Sequence, residues 1–119
     1  MMTQPTTVNP DAARVLRSVA GLLREATHLL HERADAERAT SPTRLVALGA
    51  LLTFAQASAL LTTPPFYDVP DRAGSDPLLL TEDAEQLLRT VPIERLPVGA
   101  SSLVITLCDL VRELRAARG

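Results

Sequence analysis

Lysine and tryptophan are missing from this chain, and cysteine and aromatic residues are scarce. All twelve basic residues are arginine, which removes lysine Schiff-base chemistry and the phosphate-loop lysine from consideration. The single cysteine, Cys108, excludes an intrachain disulfide and any cluster of thiolates around zinc or iron–sulfur, and it points to a reducing, cytoplasmic setting. No metal and no cofactor is expected. A surplus of either charge is missing too: the net charge is −2, with both signs interspersed. That balance argues against a nucleic-acid or anionic-membrane surface, which needs a basic patch to neutralise phosphate. Gly-rich phosphate loops, strained serine turns and oxyanion-hole loops are likewise absent. Met1–Asn9 lacks a basic start followed by an apolar run, so it does not read as a secretory signal, and it is expected to be a disordered tail.

What is present is helical periodicity over 119 residues, 46% of them hydrophobic. That is enough for one core without a staple. We therefore expect a single all-α domain over 10–119, a compact bundle of about four helices. Asn9 and Pro10 make a cap-then-proline start for the first. Val15, Val19, Leu22, Ala26 and Leu29, with Leu16, Leu23 and Leu30 beside them, form its wide apolar stripe, to about Ala39. Arg33 falls where that stripe would next need an apolar residue, so the last turns should project past the core or pack through Ala34.

Ser41 and Pro42 repeat the signature and predict a second, antiparallel helix from Thr43 to about Leu61. It has no charge after Arg44 and is apolar all round, so it is expected to be buried on nearly all sides. A membrane span is disfavoured, because Leu45–Leu61 is short for one and holds Thr53, Gln56 and Ser58. Pro64, Pro65, Pro70 and Gly74 make 62–76 a long Pro-rich loop, carrying Phe66 and Tyr67. Asp76 or Thr81 caps a third helix to about Thr90. A fourth begins at Ala100–Ser102, with Leu103, Leu107, Leu110, Leu114 and Ala117 as its stripe.

Several residue groups invite a chemical reading. Glu25 and His28 have the Glu-x-x-His spacing of helical metal sites, but His28 points away from the apolar stripe, so a solvated pair is favoured. The stretch Leu29-Leu30-His31-Glu32-Arg33 resembles part of the first helix of the all-helical chorismate mutases. Their catalytic lysine and charged following helix have no counterpart here, so no catalytic role is carried over. Cys108 lacks a sequence neighbour to activate it and reads as a packed side chain.

Gly49, Thr53 and Gln56 form a small or polar strip on the second helix. It suits either a close helix crossing or the lining of an apolar ligand pocket, with Phe66 and Tyr67 on a covering loop. Ile105 lies opposite the leucine stripe of its helix and, with Leu51 and Phe54, marks the candidate interface of a homodimer. The resulting expectation is a small non-catalytic, homodimeric protein-interaction module, adaptor or regulatory. The alternative is a small-molecule-binding bundle or small enzyme with an apolar pocket.

Overall fold

The structure, a computed structural model, describes residues 10–37, 42–61 and 76–118. The expected tail and the Pro-rich loop with Phe66 and Tyr67 lie outside these residues. The helices are α1 (Pro10–Ala36), α2 (Pro42–Ala59), α3 (Pro77–Arg89) and α4 (Ala100–Arg118), with a single 3-10 turn at Ile93–Arg95. No strand occurs among the described residues.

The local signals behave as their chemistry requires. Of the two candidate caps for α3, Asp76 is used: its carboxylate accepts the Leu78 amide at 2.9 Å while Pro77 opens the helix. Helix α2 closes in tighter turns, with the amides of Leu60 and Leu61 each donating three residues back. Gly99, just before α4, has φ +101°, a conformation that an L side chain rarely adopts. Buried threonines meet their hydroxyl requirement within their own helix. Thr27 donates to the Leu23 carbonyl at 2.7 Å, Thr53 to Gly49 at 2.8 Å and Thr81 to Pro77 at 2.8 Å.

The four helices stand at the corners of a square. Helix α1 packs on α2 and α3, and α4 packs on the same two, leaving α1 diagonal to α4. Leu30, Val46, Asp76 and Leu114 line one cavity at the end of the bundle, so α1 and α4 finish where α2 and α3 begin. At the other end Leu60 approaches Gly99. Every neighbouring pair is thus antiparallel, while α2 and α3 run the same way. The end of α2 and the start of α3 are therefore separated by the length of a helix, about 27 Å for 18 residues. A tight turn could not join them.

The core corrects one expectation. Helix α2 is not buried on nearly all sides. Its inward face is made of small residues, Ala47, Ala50 and Ala57 with Val46 and Thr53, while Leu45, Leu48, Leu51 and Leu52 are exposed. The large core side chains come from the other helices, among them Leu16, Leu23 and Leu30 of α1, Leu80 and Leu88 of α3, and Leu103 and Leu107 of α4. Two neighbouring helices at a corner cover only one side of a cylinder, so an all-apolar helix there must leave apolar surface in water. On α1, Arg33 is exposed and Ala34 is buried, and the helix ends at Ala36 instead of Ala39.

Candidate functional site

An apolar concavity lies between α2 and α4. Leu45, Leu48, Gly49 and Leu52 form one wall, Glu113, Ala116 and Ala117 the other, around about 670 Å³ of open groove. A smaller recess of about 190 Å³ beside it adds Thr53, Thr106, Asp109 and Leu110. The antiparallel packing of α2 on α4 sets this pairing: residue 49 stands level with 113 and residue 53 with 109. The α2 wall carries no charge, and the α4 wall carries two carboxylates one turn apart.

Gly49 and Thr53 thus fall on one side of α2, as their spacing predicts, but they contribute differently. Thr53 is fully buried and its hydroxyl is engaged by the Gly49 carbonyl. Gly49 borders the open groove. A methyl group there would meet Glu113 Oε1 at 3.6 Å and Leu110 Cδ1 at 3.9 Å, which is ordinary contact. Gly49→Ala is therefore expected to stabilise the chain by about 0.5–1 kcal/mol, as replacing a mid-helix glycine does where nothing clashes. Urea denaturation of the two proteins checks this. Gln56 is half-buried farther along α2.

The candidate interface residues are dispersed. Phe54 is half-buried and packs against the core, Leu51 lies on the exposed side of α2, and Ile105 stands on the outer face of α4. One turn to either side of Ile105 lie Ser101 and Asp109, both polar and exposed. Leu45, Leu48 and Leu52 form a contiguous apolar surface along α2.

Cys108 has neighbours that its position in the sequence does not disclose. Its thiol donates to Glu85 Oε2 at 2.9 Å across the α3–α4 contact, and Arg89 Nη2 lies 3.0 Å from the same oxygen. The thiol hydrogen-bonded to the Glu85 carboxylate, together with burial, raises the Cys108 pKa above its ordinary value, despite a weaker opposing pull from Arg89. The thiolate is the nucleophilic form, so the contact lowers the reactive fraction of this cysteine. Alkylation at pH 8 is expected to be slower than for a free thiol, and Glu85→Gln to accelerate it several-fold; iodoacetamide kinetics measure both. A raised native pKa favours the protonated thiol. Its contribution to stability is therefore whole below the pKa of the unfolded thiol and is lost as the pH climbs through the native one.

The remaining candidates are solvated. His28 Nε2 lies 3.4 Å from Glu32, both side chains well exposed. Among the described residues no three His, Cys, Asp or Glu side chains gather as a metal would require. No helix among them is long and apolar enough to cross a membrane. Arg115 and Glu82 join α4 to α3 by an ion pair of 2.6 Å, a surface contact that tethers the hairpin. No family model, no curated protein and no solved structure matches the chain.

Proposed function

We propose that this chain is a non-catalytic helical interaction module, adaptor or regulatory in use, that acts as a homodimer through the outer face of α2. One observation carries the reading. Leu45, Leu48 and Leu52 stay 74%, 50% and 60% exposed while α2 buries alanines. Leucines turned outward on a helix that has smaller residues to spare are poorly explained by the stability of the monomer. They are well explained by a protein partner that covers them.

The experiment is native mass spectrometry of the purified protein over a concentration series, with sedimentation velocity beside it. A dimer at micromolar concentration, with no additional mass, is the expected result. A monomer at every concentration would refute the homodimer. The open groove of about 670 Å³ between α2 and α4 favours a second reading, an apolar small molecule bound against Leu48, Gly49 and Leu52. A retained non-protein mass would put that reading first.

A further inference from the structure

The groove between α2 and α4 differs in chemistry from one wall to the other. Leu45, Leu48 and Leu52 make the α2 side apolar, and the charged side chains lining the groove and its recess are Glu113 and Asp109 of α4, both carboxylates. Glu113 Oε1 stands over Gly49, 3.6 Å from the place a methyl group there would take. The neighbouring cations are directed elsewhere. Arg44 Nη2 lies 3.4 Å from the Ala34 carbonyl of α1, the helix diagonal to α4, and Arg115 reaches across to Glu82 of α3. Arg112 approaches Asp109 only to 3.4 Å and keeps its side chain 80% exposed, a weak surface contact. The hydroxyls of the lining are committed as well: Thr53 donates to the Gly49 carbonyl and Thr106 to the Ser102 carbonyl, each at 2.8 Å. The groove therefore offers an occupant apolar contact on one side and negative charge on the other.

We infer that this groove receives an amphipathic, basic helix of a partner protein, its apolar stripe set against Leu45, Leu48 and Leu52 and two arginines or lysines beside the stripe facing Asp109 and Glu113. The inference rests on the reading of the chain as an interaction module and names the chemistry of the partner. Shape selects a helix. Both walls are helices that satisfy their own backbone groups, so no sheet edge is open to an extended peptide. The lining runs from Thr106 to Ala117 on α4, a rise of about 16 Å, which three helical turns match. Leu45, Leu48 and Leu52 are spaced by three and four, as the ridges of one helix are where the side chains of another enter between them. Charge selects a basic one. Asp109 and Glu113 stand one turn apart, about 6 Å, and a neutral helix laid beside them would take Glu113 from water with no cation to meet it. Basic residues one turn apart on the incoming helix meet both carboxylates. A second copy covering the same leucines would compete for the site.

The test uses the full chain and synthetic, fluorescein-labelled helical peptides. The probe carries leucines in alternating steps of three and four, with two arginines one turn apart beside that stripe. One control has glutamates in place of the arginines, and a second has the same arginines on the face opposite the leucines. Binding is followed by fluorescence anisotropy at low salt and at about 0.5 M sodium chloride, where exposed charges are screened. Sedimentation velocity of the protein alone reports the homodimer independently.

The probe is expected to bind more tightly than either control and to weaken in high salt. Glu113→Gln together with Asp109→Asn should lose about fivefold in affinity, as two exposed ion pairs account for, and the salt dependence with it. Leu48→Ala, at a position already exposed, should weaken the probe while the salt dependence persists. Equal binding of the probe and either control would overturn the inference, because the carboxylates would then select nothing. A dimer that takes no probe would also overturn it and leave the homodimer standing, whereas a monomer that binds the probe with the expected charge preference would remove the homodimer and keep the inference. A small molecule retained through purification that the probe cannot displace would put that occupant in its place.

Discussion

A chain carrying Leu48→Glu together with Leu52→Glu is expected to be a folded monomer under conditions where the unaltered protein is a dimer. Both side chains are at least half exposed in the single chain, so carboxylates there remain hydrated and the bundle loses little. In the dimer the same positions are closed against apolar residues. Four carboxylates would then enter a contact whose α2 helices offer one cation each, Arg44, a turn from residue 48, and each carboxylate left buried and unpaired costs several kcal/mol unless it takes up a proton. Weakening of the dimer by more than about 100-fold, near 3 kcal/mol, is a conservative figure. Sedimentation equilibrium measures the loss, and circular dichroism shows that the helices persist. Ile105→Glu is the informative companion, because Ile105 lies on α4 and not on the outer face of α2. Retention of the dimer in Ile105→Glu and its loss in the double variant would localise the contact to α2. The converse result would move it to α4.

Leu23→Ala is expected to have the largest effect on folding itself. Leu23 is fully buried in the core cluster that α1 shares with the other helices. Truncation removes transfer free energy and leaves a cavity that helices held on two sides can close only in part. A loss of about 3–4 kcal/mol is expected, a large share of the roughly 5–15 kcal/mol that holds a domain together. Leu45→Ala removes the same atoms from an exposed site and should cost less than about 0.5 kcal/mol. Both are best measured by urea denaturation in the Leu48→Glu, Leu52→Glu background, where association does not add to apparent stability. Equal losses at the two positions would mean that α2 is turned about its axis relative to this structure.

The contrast between Leu23 and Leu45 also marks where sequence reading succeeds. On α1 the stripe through Val19, Leu23, Ala26 and Leu30 is flanked by Arg14, Arg24 and His28, so the polar residues reveal which side is wet. Arg33 and Ala34 divide between solvent and core as that pattern requires. Asp76 and Pro77 advertise a helix start through a cap that acts over two residues. On α2 no polar residue marks the outer side, and alanine and leucine are both apolar. The pattern shows that the helix is apolar, and it carries no sign of which residues face the bundle. The 3-10 turn at Ile93–Arg95 is too short to have a periodic signal at all.

The candidate site divides in the same way. Gly49 and Thr53 share a side of α2 because helical geometry alone puts residues four apart together. Glu113 and Asp109, which form the opposite wall, join them only when α4 packs antiparallel on α2. Cys108 meets Glu85 across 23 positions of sequence, a contact that no local rule contains.

The sequence alone determined the all-α class, the start and face of α1, and two candidate caps for α3, of which the structure uses Asp76. Each of these follows from interactions among residues a few positions apart, or from proline's fixed φ and missing amide. Tertiary structure decided that α2 stands at a corner with alanines inward and leucines outward, that its groove with α4 brings Glu113 beside Gly49, and that Cys108 meets Glu85. Those outcomes depend on which helices become neighbours, and that choice is made by the fit of whole faces, where an alanine differs from a leucine by the distance at which two helices can meet.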